Sequence, residues 1–151
     1  MPTHYTGDEN IRRALDAYIK LSRARKTLGI LTSRILTEYN LTESQLGTLE
    51  SLYYLGSMSQ KDIGDKMLVT GGNMTMVVKN LEQRGLLCRE RDENDRRQYV
   101  VSLTPEGRQL LDDLFPKHAA YIAELMGILT PDEMDQLGEL CKILGLQSRD
   151  E

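Results

Sequence analysis

Between Leu86 and Leu103 the chain reads LLCRERDENDRRQYVVSL, and here its apolar period changes from that of a helix to that of a strand. Leu87, Arg89 and Arg91 alternate with Cys88 and Glu90. After a turn, Tyr99, Val101 and Leu103 alternate with Val100 and Ser102. A period of two sends successive side chains to opposite faces of a pleated strand. The turn from Asp92 to Arg97 is wholly charged or polar. The stretch predicts a β-hairpin with an exposed tip.

Everything around this hairpin has helical spacing. Ile11, Ala14, Leu15, Tyr18 and Leu21, then Leu28, Leu31 and Ile35, predict a first helix from about Asp8 to Tyr39. A helix this long carries more apolar face than a short domain covers, so a partner subunit is expected. Asn40 ends it, and Thr42 with Gln45 forms a capping box for a second helix through Leu46, Leu49, Leu52 and Leu55, closed by Gly56. Ser59 caps a short third helix through Ile63 and Met67, with Asp62 in its first turn. Thr70 can cap a fourth, which turns Met74, Val77, Val78 and Leu81 inward and ends at Gly85. Beyond the hairpin, Thr104-Pro105 opens a fifth helix that Pro116 should kink or break. Thr130 to Glu133 supplies another capping box for the last.

The expected fold class is therefore mainly α with a small β-hairpin wing. Short helix, turn, capped helix and charged-tip hairpin form the ground plan of a winged helix-turn-helix. A single domain over 1–151 is expected, with a dimerisation helix over 8–39, a DNA-binding region over 42–103 and C-terminal helices over 104–146.

A net charge of −4 is unusual for a nucleic-acid binder, but its distribution matters more. From Gln109 to Glu151 three Lys or Arg stand against nine Asp or Glu, whereas Met1 to Arg108 has sixteen against fourteen. Phosphate binding needs local positive potential, not a basic chain. No apolar run reaches the ~18 residues of a membrane span, and the N-terminus lacks a hydrophobic signal segment, so a cytoplasmic protein without membrane association is expected. Cys88 and Cys141 form no metal-binding spacing and are expected as buried or semi-buried thiols. With His4 and His118 the only histidines, no metal and no cofactor are expected.

The fourth helix offers its first turn to a major groove, which admits one α-helix. Thr70, Gly71, Gly72, Asn73, Thr75 and Met76 lie there, with Lys79 and Asn80 a turn later. Asn73 can pair with adenine, Thr75 can meet a thymine methyl or a phosphate, and Met76 adds apolar surface. Arg96 and Arg97 at the hairpin tip suit a narrow minor groove. Asp92 and Asp95 would repel phosphate unless one orients an arginine through an ion pair. Taken singly, these residues also suit helix caps and a solvated loop; their joint order and spacing favours DNA.

The segment from Gly72 to Leu111 resembles the recognition helix and wing of MarR family regulators. The shared motifs are Leu81-Glu82, Gly85-Leu86, Arg89, Asp92, Asp95-Arg96-Arg97, and Leu103-Thr104 with Gly107. Similarity extends over nearly the whole chain and is weakest before Ile30 and after Leu125. The resemblance implies a homodimer built by the first helix and the last two, and an approximately palindromic operator. It also implies repression relieved by a small aromatic or lipophilic effector. By motif match, Thr75 falls on a DNA-contacting position and Arg97, with Arg96 beside it, on the wing arginine. Met76 departs from the basic or polar residue of many relatives. Peroxide-sensing relatives use a reactive cysteine near the N-terminus, and none precedes Cys88.

An effector wedged between dimerisation and DNA-binding parts would favour a state whose recognition helices are not the roughly 34–36 Å apart that duplex DNA requires. Tyr18, Leu21, Leu52 and Tyr53 are the expected pocket walls. A winged helix that docks only onto another protein is the alternative. An enzyme finds no support, because no histidine neighbours a plausible nucleophile and Gly71-Gly72-Asn73 is not a phosphate-binding fingerprint.

Overall fold

The computed structural model describes residues 2–147. The first helix, α1, runs Glu9–Glu38, and the Asp8 carboxylate caps it by accepting the N–H groups of Asn10 and Ile11. It ends where Asn40 takes φ 51°, a left-handed conformation that asparagine tolerates. Helix α2, Glu43–Leu55, starts with the full Thr42–Gln45 capping box and stops at Gly56, whose φ of 82° excludes other residues at low cost. A two-residue strand, β1 (Met58–Ser59), leads into α3 (Gln60–Met67), capped by the Ser59 hydroxyl. Helix α4 covers Gly71–Gln83. The hairpin is β2 (Leu87–Arg91) and β3 (Tyr99–Leu103), followed by α5 (Pro105–Met126) and α6 (Pro131–Gly145).

The strands pair antiparallel in the order β1-β3-β2, with Leu87 opposite Leu103 and Met58 opposite Val101. Strand β1 was not expected. Two residues carry no readable period, and what makes them a strand is the partner edge of β3, where Ser59 pairs with Val100 and Met58 with Val101, far along the chain.

The core lies where α2, α3 and α4 meet the sheet and α5. Leu49, Ile63, Val78, Leu81, Val101 and Leu114 are wholly buried there. At roughly 1.5–3 kcal/mol for each fully buried aliphatic side chain, this cluster holds the middle of the chain together. Helix α6 buries no residue, and Ile11, Tyr18, Leu137, Leu140, Ile143 and Leu144 stand exposed. No helix among the described residues is long and apolar enough to cross a membrane.

Of the two outcomes expected at Pro116, a kink or a break, the break does not occur, because α5 runs on through it. Two other expectations change. Thr70 holds the cap position of α4, but its hydroxyl makes no capping bond. Cys88 and Cys141 are both exposed. Cys88 occupies the outward register of β2, opposite to buried Leu87, and Cys141 lies on the helix that buries nothing within one chain.

Two positions explain local sequence. Gly107, in the first turn of α5, packs so closely on the connection between α4 and β2 that a Cβ would fall 2.0 Å from the Leu86 carbonyl oxygen. The same junction is tied by Thr104, whose N–H donates to Leu86 O and whose hydroxyl donates to Gly85 O at 2.6 Å. Backbone cannot give way as a flexible side chain can. Gly107→Ala is therefore expected to cost about 2–3 kcal/mol in chemical denaturation, and a loss under about 0.5 kcal/mol would contradict this packing. Leu68 closes α3 in the left-handed region at φ 52°, with its side chain 81% exposed. It pays backbone strain and gains little burial. Leu68→Gly is expected to raise stability by about 1 kcal/mol, read as a higher denaturation midpoint.

Candidate nucleic-acid interface

Helix α4 is two-sided because its apolar residues repeat at helical spacing. Met74, Val78 and Leu81 are buried, while Gly71, Gly72, Asn73, Thr75, Met76, Lys79 and Asn80 are exposed on the other side. A Cβ at Gly71 or Gly72 would meet nothing within 4 Å, so packing inside the chain does not demand glycine at either position. Met76 is 72% exposed. Because Thr70 makes no side-chain cap, the first N–H groups of α4 lack that acceptor.

Some polar groups on this face are already engaged. Thr75 Oγ1 donates to Gly71 O at 3.0 Å and accepts from Gln60 Nε2 at 2.9 Å. Asn80 Oδ1 accepts from Gln45 Nε2 at 2.8 Å, which ties α4 to the capping box of α2. Sequence reasoning missed Gln60 and Gln45 as supports of this face. Both belong to other helices, and only the tertiary crossing brings them to α4.

The wing is ordered from its base to its tip. Arg89 reaches Glu82 through both Nε and Nη2, at 3.0 and 2.9 Å, with both side chains about two-thirds or more buried, and so fastens β2 to α4. The Arg89 and Arg91 guanidinium groups lie 5.1 and 5.4 Å from the Tyr99 ring centroid, within cation–π range. At the tip, Asp92 Oδ1 accepts the N–H groups of Asn94 and Asp95, and Asp95 Oδ1 accepts that of Arg97. Arg91 Nη1 donates to Arg96 O at 2.8 Å. The expectation that Asp92 or Asp95 pairs with an arginine side chain is thus replaced. These carboxylates fold the loop backbone, as Asx turns do, and no ion pair engages Arg96 or Arg97 among the described residues. Both arginines are exposed at the tip.

A cavity of about 220 Å³ opens where α1, α2 and α5 meet. Leu28, Leu36, Leu46, Ile122 and Leu125 supply apolar wall, with Arg25, Glu43, Thr32 and His118 as polar members. His118 is only 9% exposed, and its Nδ1 has no hydrogen-bond partner among the described residues. None of the expected wall residues lines it. Tyr18 is 68% and Leu21 39% exposed on α1, and Leu52 is core at 2%. Tyr53 donates its hydroxyl to Asp112, and that bond holds the phenol pKa above its ordinary value. The expected α1 stripe is half right: Ile11, Ala14, Tyr18 and Leu21 are exposed, Leu28, Leu31 and Ile35 are half-buried, and the cavity draws its α1 wall from Arg25 to Leu36, where α5 packs, which periodicity does not report.

Two more polar ties join α5 to its neighbours. Tyr39 Oη donates to Asp113 Oδ2 at 2.6 Å, and Lys117 Nζ reaches both groups. The bond from Tyr39, then that from Lys117, holds the Asp113 carboxyl below its usual range.

Comparison with known proteins bears on all of this. The model of the MarR family matches residues 41–99, from the start of α2 to the first residue of β3. YkoM of Bacillus subtilis strain 168, described as an uncharacterized HTH-type transcriptional regulator, is 36% identical over 142 residues, covering 94% of this chain and 92% of YkoM. The HTH-type transcriptional regulator MhqR of the same organism is 35% identical over 137 residues, covering 91% and 94%. Among solved structures, BpsR of Bordetella bronchiseptica, whose DNA binding is regulated by 6-hydroxynicotinic acid, superposes with a TM-score of 0.79 at 26% identity, over 85% of this chain and 98% of that one. The chain belongs to the MarR family and is a DNA-binding transcriptional regulator with a winged helix-turn-helix fold.

Proposed function

We propose that two copies of this chain bind an approximately palindromic operator as a repressor, and that a small aromatic or lipophilic effector releases them. The observation that carries this reading is the free face of α4 beside an unpaired arginine tip. Gly72, Asn73, Thr75, Met76 and Lys79 would read the major groove, with Thr70 at the entry. Gly71 and Gly72, which no internal packing requires, would let the α4 backbone approach the duplex closely. Uncapped N–H groups there favour a phosphate. Arg96 and Arg97 would enter the minor groove on a loop held in shape by Asp92 and Asp95.

The apolar residues left exposed on α1 and α6 support the homodimer. Leu140, Ile143 and Leu144 are each more than half exposed on a helix that buries nothing, an arrangement suited to burial against a second copy. The described acidic residues of the C-terminal third all belong to α5 and α6 and none to α4 or the wing. Support for the effector comes from the α1/α2/α5 cavity, which joins the dimerisation helices to the DNA-binding region. Its volume, below the usual ~300–1,000 Å³ of ligand pockets, suits a single-ring molecule.

The test is a titration of the duplex upstream of the chain's own gene, followed by fluorescence anisotropy. Affinity is expected to fall by orders of magnitude between ~50 and ~200 mM salt. Arg96→Ala with Arg97→Ala should weaken binding and flatten that slope by about one to two phosphate contacts, with an unchanged melting temperature. Equal affinity and slope in the double variant would contradict the role given to the wing.

A further inference from the structure

The Thr75 hydroxyl, on the exposed side of α4, is held by two partners whose characters fix its polarity. Oγ1 lies 3.0 Å from Gly71 O and 2.9 Å from Gln60 Nε2. A backbone carbonyl only accepts, so the hydroxyl proton goes to Gly71. The hydroxyl must then accept from Gln60, which turns the Nε2 end of that amide towards α4. Its other end, Oε1, is buried and has no hydrogen-bond partner among the described residues. A hydroxyl has one donor and two acceptor positions. With the donor and one acceptor engaged, Thr75 is left with a single free acceptor beside its methyl group.

Gln60 is aimed from outside α4. It is the first residue of α3, directly after Ser59. Ser59 pairs with Val100 of β3, and its hydroxyl accepts the N–H of Asp62. Sheet and cap thus fix the point from which the amide reaches α4. Stability does not explain a glutamine there. An orphaned buried acceptor weighs against folding more than one exposed hydrogen bond favours it. An apolar side chain of similar length would avoid the penalty.

We propose that Gln60 is a positioning residue for base reading: by holding Thr75 as an acceptor, it directs α4 to an exocyclic amino group, adenine N6 or cytosine N4, in the major groove. This role rests on the exposed face of α4 being the face that reads the groove. Guanine O6 and N7, thymine O4 and the phosphate oxygens only accept, so none of them can pair with the free position on Thr75. Turning the proton outward to meet one of them would leave Oγ1 and Gly71 O lone pair to lone pair at 3.0 Å. Gln60 also restrains a side chain that otherwise divides between two rotamers in a helix, so less freedom is lost on binding.

The test is anisotropy on the duplex upstream of the chain's own gene, with each base pair of a half-site replaced in turn. Wild type, Thr75→Val and Gln60→Met are compared. Valine keeps the shape and drops the hydroxyl; methionine keeps the length and drops the amide. At one position the wild type should prefer adenine or cytosine by about three- to tenfold, the scale of one hydrogen bond. Removing the amino group alone, with purine for adenine or pyrimidin-2-one for cytosine, should weaken the wild type by the same factor and leave Thr75→Val unchanged. Gln60→Met should lose most of that preference at a level or raised melting temperature, and Gln60→Ala repeats the measurement with a shorter side chain. Full amino-group preference in both Gln60 variants overturns the positioning role and leaves the groove-reading face standing. An even loss over all duplexes in Thr75→Val marks a phosphate contact and overturns the acceptor assignment. If Thr75→Val alters affinity for no duplex, the reading of Thr75 as a groove contact falls as well.

Discussion

One helix must be gripped from behind for its front to be useful, and in this chain the grip is the stripe Met74, Val78 and Leu81. These side chains lie in the same buried cluster as Leu49 and Leu52 of α2 and Ile63 of α3. Truncating one such aliphatic residue typically costs about 2–5 kcal/mol, a large share of a small domain's stability. The burial sets the rotation of α4 about its axis, and so decides which residues face outward. Polar ties refine that placement. Gln45 holds Asn80, Arg84 donates to the carbonyls of Tyr39 and Asn40, and Glu82 receives Arg89 from the wing. Recognition helix and wing are thus referenced to one core, as a protein that reads two grooves at once requires.

Helix ends and strand period were legible in sequence because their causes are local. The Thr42–Gln45 and Thr130–Glu133 boxes, the Ser59 cap and the glycine stops at Gly56 and Gly85 depend on a few neighbouring residues. The hairpin register follows from alternation, with Leu87 against Leu103. Misreadings arose wherever the cause lies far along the chain. Strand β1 exists through β3, the cavity lies where α5 happens to cross α1, and Thr75 is met by Gln60 from another helix. The wing aspartates failed for a different reason. A carboxylate beside an arginine invites an ion pair, but within a tight loop the unpaired backbone N–H groups are nearer and already fixed, and they take the acceptor first.

The molecule divides its interactions by strength. Apolar burial holds the centre and reaches the junction of α1, α2 and α5 through Leu36, Leu46 and Leu114, and the surface of that junction adds exposed polar pairs: Arg25 with Glu43, Tyr39 with Asp113 and Lys117, and Tyr53 with Asp112. Exposed pairs each contribute ~0–1 kcal/mol, so they can be rearranged without unfolding anything. A switch that shifts two rigid parts needs such a boundary, since a ligand moves an equilibrium only by its differential affinity for the two states.

The central claim is geometric: two copies present two α4 helices and two arginine tips to one duplex. Hydroxyl-radical footprinting on the region upstream of the chain's own gene measures that geometry directly. The account predicts two protected half-sites about 10–10.5 base pairs apart, or a multiple of that, each flanked by minor-groove protection that disappears when Arg96 and Arg97 are replaced by alanine. A single unpaired protected patch, or flanking protection indifferent to those arginines, would contradict it.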